Sequence, residues 1–171
     1  MSTLLQRRHL LLAAATAAAT APLVGCGFEL RREPEFLFRS LALSGFKPGS
    51  PLAADLKRQL SRTALLMVED ANRAEVVLEV LRDVREKSVV VSTSAGQVRE
   101  WQLRVNFDYL LRVPSGELLL PRTELRMTRE MNYTESAALA KEQEEAQLYR
   151  AMQSDAVAQI MRRLSAVRLP A

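Results

Sequence analysis

Between residues 98 and 113 apolar and polar side chains alternate. Trp101, Leu103, Val105, Phe107, Tyr109, Leu111 and Val113 share one face, and Glu100, Gln102, Arg104, Asn106, Asp108 and Arg112 hold most of the other. A period of two over this length predicts a long antiparallel strand, wet on one side. Pro114-Ser115-Gly116 turns the chain, and Leu118 to Tyr133 runs back with Leu125, Met127, Met131 and Tyr133 in step. Pro121 marks an edge or irregular portion of that strand. Upstream, Val76, Leu78 and Val80 lie on one face and Val77, Glu79 and Leu81 on the other. That run continues through Val84 to Val89-Val90-Val91 and breaks at Ser92 to Gly96. The three segments read as a meander.

Around the meander the period changes. Phe36 to Leu43 is a short apolar run ending at Ser44-Gly45, which predicts a strand. Ser50-Pro51 matches an N-cap with proline at the first helical position. Leu52, Ala53, Leu56, Leu60 and Ala64 then recur at helical spacing opposite Asp55, Lys57, Arg58 and Arg62, an amphipathic helix of about three to four turns. Leu65 to Val68 is a short buried connection or strand before an acidic turn at Glu69-Asp70. From about Lys141 to Val167 no Gly or Pro occurs, and Leu148, Met152, Ala156, Ile160 and Leu164 recur every four residues. Glu142, Glu144 and Glu145 at the start of this helix and Arg162-Arg163 near its end suit the macrodipole. The order β-α-β-β-β-α predicts an α+β two-layer sandwich, with two amphipathic helices packed on one face of a mostly antiparallel sheet of about four strands. Trp101, Tyr109 and the methionines of the closing helix fall on apolar faces and are read as core. The other sheet face and the strand tips are left for partners.

The amino terminus follows a different logic. Arg7 and Arg8 precede an apolar run from Leu10 to Val24 that is broken only by Thr16, Thr20 and Pro22. A membrane span needs about 20 apolar residues, so this charged and then apolar stretch reads as a signal peptide. Ala17 to Ala19 fits an ordinary small-residue cleavage site. Leu23-Val24-Gly25-Cys26, however, resembles the lipobox of bacterial lipoproteins, which implies S-diacylglycerol on Cys26, cleavage just before it and an N-acyl group on the new terminus. The chain then divides into a signal at 1–25, a lipid-anchored tether at 26–35 and a single domain at 36–171. Gly27 stands where an Asp signals inner-membrane retention in enterobacterial lipoproteins, which points to the outer membrane. Arg7-Arg8 suits Sec or twin-arginine export, and both stay open.

This processing changes the chemistry. The whole chain has 24 basic and 20 acidic side chains and a net charge of +4. Removal of residues 1 to 25 leaves 146 residues with 22 basic against 20 acidic groups, so the basicity is no argument for nucleic acid. His9, the only histidine, leaves with the signal, and Cys26, the only cysteine, becomes a thioether. Ser-His-Asp and Cys-His catalysis, histidine-ligated zinc and thiolate metal sites are thereby excluded together. Paired carboxylates or a Ser-Lys dyad stay formally open, and no Gly-rich phosphate loop is present. The default is a binding or assembly role, with no catalytic residue, metal or cofactor beyond the covalent lipid.

Four strings then resemble the LptE family: the lipobox running into Cys26-Gly27-Phe28-Glu29-Leu30-Arg31; Gly96-Gln97 with Glu100-Trp101-Gln102; Ala138-Leu139-Ala140-Lys141-Glu142; and Ala158-Gln159-Ile160 with Arg162-Arg163-Leu164. The resemblance implies a subunit of the outer-membrane lipopolysaccharide translocon. Such a lipoprotein plugs the lumen of an LptD-type β-barrel, helps that barrel assemble and binds lipopolysaccharide. Lys141 matches the family's basic residue near the start of the last helix, which implies a phosphate contact; the bland alternative is a solvated lysine paired with Glu145 at i+4. Relatives can carry Arg where this chain has Ser94, which leaves Arg99 as a candidate substitute. Arg104 and Arg112 read as a solvated strand face. The alternative function is a stand-alone periplasmic lipoprotein that binds a lipid or cell-wall fragment with no barrel. A carboxylate hydrolase is a third class, supported by nothing beyond the presence of Asp and Glu.

Overall fold

The computed structural model describes residues 35–170. The signal peptide, the lipobox with Cys26 and most of the tether lie outside the described residues. The elements run β1 (Ser40–Ser44), α1 (Pro51–Leu60), β2 (Leu66–Val68), a 3-10 turn at Ala71–Arg73, β3 (Val76–Ser92), β4 (Val98–Arg112), β5 (Leu118–Asn132), a second 3-10 turn at Glu135–Ala137, and α2 (Ala138–Ser165). They form one sheet in the order β2-β1-β3-β4-β5. The meander β3-β4-β5 is antiparallel, whereas β1 pairs in parallel with both β2 and β3.

The α+β sandwich is therefore as expected, with five strands in place of about four. The extra strand is Leu66–Val68, which pairs with Ser40, Leu41 and Ala42. Three residues are too few to display a period. Parallel neighbours need a crossover, and α1 provides it. Ser50 caps α1 by accepting from the Ala53 amide at 3.2 Å, with Pro51 in the first turn. The helix stops a turn earlier than its spacing predicts, because the Ser61 and Thr63 hydroxyls take over the carbonyls of Arg58 and Leu60 at 2.9 and 2.6 Å. At the other end of the chain, α2 starts three residues before Lys141.

Both helices bury their apolar stripes in one core. Leu52, Leu56 and Leu60 of α1 and Met152, Ala156, Ile160 and Leu164 of α2 meet Leu103, Val105, Phe107, Tyr109 and Leu111 of β4. Phe46 stacks on Phe107 at 5.9 Å between centroids. Burial pushes the Tyr109 phenol up to about 12, so it is a neutral core group. The opposite face is not wholly bare. At the β1 end, Ala42, Val77 and Ala74 form a second small cluster, with Val68 of β2 and Ala71 of the adjoining turn packed against it.

Two features of β3 and β4 depart from simple alternation. The β3–β4 register slips between Val80 and Arg82, leaving Leu81 as a bulge. Val76, Leu78 and Val80 face the helices as predicted, but beyond the bulge the phase reverses. Asp83, Arg85 and Lys87 now lie opposite Phe107, Val105 and Leu103, on the helix side of the sheet. The predicted continuous run through Val84 is thus corrected.

The second departure is on the polar face of β4, expected to be wet. Asn106 is buried there and Asp108 has no exposed surface at all. Arg122 donates to Asp108 Oδ2 at 2.6 Å and Arg126 to Oδ1, while Arg126 also holds Glu124 at 2.8 Å. Two long side chains from β5 therefore roof a carboxylate that alternation alone would leave in water. The Arg126 guanidinium holds the Asp108 carboxyl below its ordinary 3.8 against the opposing effect of burial, and Arg122 adds to the depression. A depressed carboxyl stabilises the fold fully above its unfolded value and loses that contribution as pH falls through the folded one. Asp108→Asn is expected to lower stability at pH 7 by on the order of 2 kcal/mol. The deficit should shrink as pH drops below 3.8. Urea midpoints of both proteins at neutral and acid pH check this.

Candidate functional site

The two hairpins are closed by the same turn. Gly96 N donates to Thr93 O at 2.9 Å and Thr93 N to Gln97 O at 2.8 Å, and Val113 and Gly116 repeat the arrangement at the second hairpin. Gly96 has φ +78° and Gly116 φ +99°, the left-handed position that a three-residue hairpin loop requires. The first of these turns overhangs the start of α2. Between them lies a pocket of about 400 Å³, lined by Ala95 to Val98 of the turn, by Trp101, Met131 and Tyr133, by Lys87 and Lys141, and by Ala138 with the carboxylates Glu135, Glu142 and Glu145.

Each wall has a local cause. Trp101 and Tyr133 meet edge to face at 6.4 Å and form an aromatic floor. Lys87, turned inward by the Leu81 bulge, places its Nζ 4.5 Å from the Trp101 ring centroid and 2.5 Å from Glu145 Oε2. Behind it, Arg85 lies 5.2 Å from the Tyr149 ring centroid and donates to Gln153, whose amide donates to Pro51 O at 2.9 Å. The Tyr149 hydroxyl donates to Glu86 O at 2.8 Å. This polar seam fixes α2 against β3 and so fixes the pocket. Burial, ahead of the neighbouring Glu145 charge, pushes the Tyr149 phenol up.

Lys141 stands in the pocket wall with its ammonium 2.8 Å from Glu144 Oε2. Its pairing is i+3 and not the i+4 of the alternative reading, because Glu145 is already engaged by Lys87. Arg99 sits outside the lining, with its guanidinium 3.4 Å from Oε1 of Gln97, which does line the pocket. Arg104 is exposed and Arg112 pairs with Glu79 at 2.7 Å, both consistent with a strand face. Lys87 is the pocket residue that sequence reasoning missed. Its orientation depends on the bulge, and the one signal for it was its place as the last charge before the uncharged stretch 88–98.

Two ammonium groups above an aromatic floor can receive an anion that carries apolar material beside it when Lys87 and Lys141 exchange Glu145 and Glu144 for the ligand's oxygens, against the opposing charge of Glu135 and Glu142 in the same wall. Among the described residues no group of three or more His, Cys, Asp or Glu is placed to hold a metal ion. No described helix is long and apolar enough to cross a membrane.

Comparison with known proteins gives a consistent result. The family model for LptE, described as lipopolysaccharide-assembly, matches residues 38–164. The chain is 26% identical to an LPS-assembly lipoprotein LptE of Photorhabdus laumondii over 94% of this chain and 88% of that one. It is 28% identical to that of Pectobacterium atrosepticum over 92% and 86%. Among solved structures, an uncharacterized lipoprotein B from Nitrosomonas europaea superposes with a TM-score of 0.69 at 32% identity, covering 82% of this chain and 91% of that one. The rare lipoprotein B from Shewanella oneidensis shares the fold, with a TM-score of 0.63 at 23% identity over 75% and 95%.

Proposed function

Since the chain belongs to the LptE family of lipopolysaccharide-assembly lipoproteins, we propose that it is the lipoprotein subunit of an outer-membrane lipopolysaccharide translocon. In this reading it plugs an LptD-type β-barrel, assists its assembly and binds lipopolysaccharide in transit, without catalysis. Diacylglycerol and an N-acyl chain on Cys26 hold it to the outer membrane, facing the periplasm and the barrel lumen. A compact domain whose open sheet face mixes both signs of charge, as the Asp108, Arg122, Glu124 and Arg126 network does, suits the polar interior of a large barrel.

The observation that carries the lipopolysaccharide part is the pocket. Residues 95–98 and Lys141, far apart in sequence, line one cavity with a second lysine and an aromatic floor. Lys141 is the first phosphate contact, and Arg99, beside Gln97 at the rim, is the second. Lys141→Ala is expected to weaken lipopolysaccharide binding about tenfold, the value of one charge-assisted contact. The fold should be little affected, because among the described residues the Lys141 ammonium pairs only with Glu144 on its own helix. Titration with labelled lipopolysaccharide and a melting curve check both halves. For the barrel, pull-down from detergent-solubilised outer membrane should recover a stoichiometric β-barrel partner; a protein found only as a free monomer overturns the plug reading.

A further inference from the structure

We propose that the uncharged tip of the β3–β4 hairpin, centred on Val89, Val90 and Val91, receives the acyl chains of the lipopolysaccharide whose phosphates the adjoining pocket binds. The inference rests on that reading of the pocket and extends it to residues that no phosphate would need.

Eleven consecutive residues, Ser88 to Val98, carry no charge in a chain where 26% of residues are charged. Within them, register slips between Val89 and Val91 and between Val91 and Ser92 leave Val90 without a partner on β4. All three valines are exposed by 44–48%. A β-rich apolar segment in water is an aggregation hazard unless something covers it. The bulges interrupt pairing with another strand, so the valines are better placed to meet a fluid apolar ligand than an added β-strand.

The position of the tip points to the occupant. Val89 pairs with Trp101 across the strands, so the apolar surface continues into the pocket floor, and the far side of the same turn, Ala95 to Val98, is pocket wall. Lys87 and Arg99 close the uncharged run at its two ends, and Lys141 faces the turn across the pocket. Phosphates would sit at the level of Lys87 and Lys141, replacing their partners Glu145 and Glu144 among the wall's carboxylates, with hydrocarbon beyond. Leu139, 79% exposed in the first turn of α2, adds apolar surface next to the pocket residue Ala138. Thr93 engages the Gln97 amide with its hydroxyl at 3.1 Å, so the turn's polarity is partly satisfied internally.

The test uses the processed, lipid-anchored protein in neutral phosphatidylcholine nanodiscs. Cys26 is acylated there, so a Val90→Cys substitution supplies the single thiol for an environment-sensitive fluorophore. Addition of lipopolysaccharide should shift the emission to the blue with a several-fold gain, and deacylated lipopolysaccharide bearing the same phosphates should not. Val89→Asn combined with Val91→Asn should weaken binding of the acylated form about tenfold and leave the deacylated form unchanged, with the melting curve as the control for folding. A blue shift already present in the nanodisc alone, an equal response to both ligands, or a silent tip overturns the inference. Lys141→Ala separates the two readings: if it weakens binding while the tip stays silent, only the tip inference falls. If it has no effect on either ligand, the pocket reading itself falls.

Discussion

Replacing Gly45 with Ala is expected to lower the melting midpoint by about 6–12 °C, the largest loss among the described glycines, since only here would a Cβ meet backbone atoms. Two costs combine. Gly45 has φ +79°, where a Cβ costs about 1–2 kcal/mol. The same Cβ would lie 2.3 Å from the Val80 carbonyl oxygen and 3.1 Å from the Val80 carbon and nitrogen, all backbone atoms that no rotamer change can move aside. Relief requires a shift of β3 at the bulge, and overpacking of this kind adds about 1–3 kcal/mol, for a total of about 3 kcal/mol. Gly49 is the control. It has φ +74° with nothing within 4 Å of its Cβ position, so Gly49→Ala should cost only the backbone part, about 1 kcal/mol. Thermal melts of the two variants separate the terms. Equal melting points would show that β3 yields to the methyl without resistance. Since the bulge directs Lys87 inward, Gly45→Ala should also disturb the Lys87–Trp101 stack, read as a change in tryptophan fluorescence before the melt.

Cys26→Ala produces the second large effect, a near-complete transfer of the protein from the membrane to the soluble fraction when it is made without a barrel partner. Each buried methylene contributes about 0.8 kcal/mol, so two or three acyl chains anchor firmly and their loss leaves only weak surface contact. The melting curve should not change, because the described core is assembled from residues of the folded domain. Fractionation with mass analysis of the amino terminus checks the expectation; a Cys26→Ala protein that still carries acyl chains overturns the lipobox assignment.

The sequence shows some residues of the site and hides others, each for a physical reason. Lys141 was legible because it stands in a local string, and local strings survive folding unchanged. Trp101 was legible as apolar-face and was read as core, but it is only partly buried and lies in the pocket floor outside the core cluster. Lys87 was not legible, since its direction depends on a single extra residue, Leu81, that reverses the phase of β3. The alternative pairing of Lys141 with Glu145 is not formed, because Glu145 is claimed by a lysine 58 positions away. Asp108 shows the same limit in the core: alternation exposes it, and two arginines on the neighbouring strand bury it.

The sequence by itself determined four of the five strands and both helices with their amphipathic faces, the turns at Gly96 and Gly116 and the absence of histidine and thiol chemistry from the domain. Each of these is set by side chains a few positions apart. The tertiary structure decided the fifth strand, the phase of β3 beyond Leu81, the roof over Asp108 and the meeting of Lys87, Lys141 and the hairpin tip around one pocket. Those depend on register and on pairing between distant segments, where a slip of one residue sends a side chain to the opposite face.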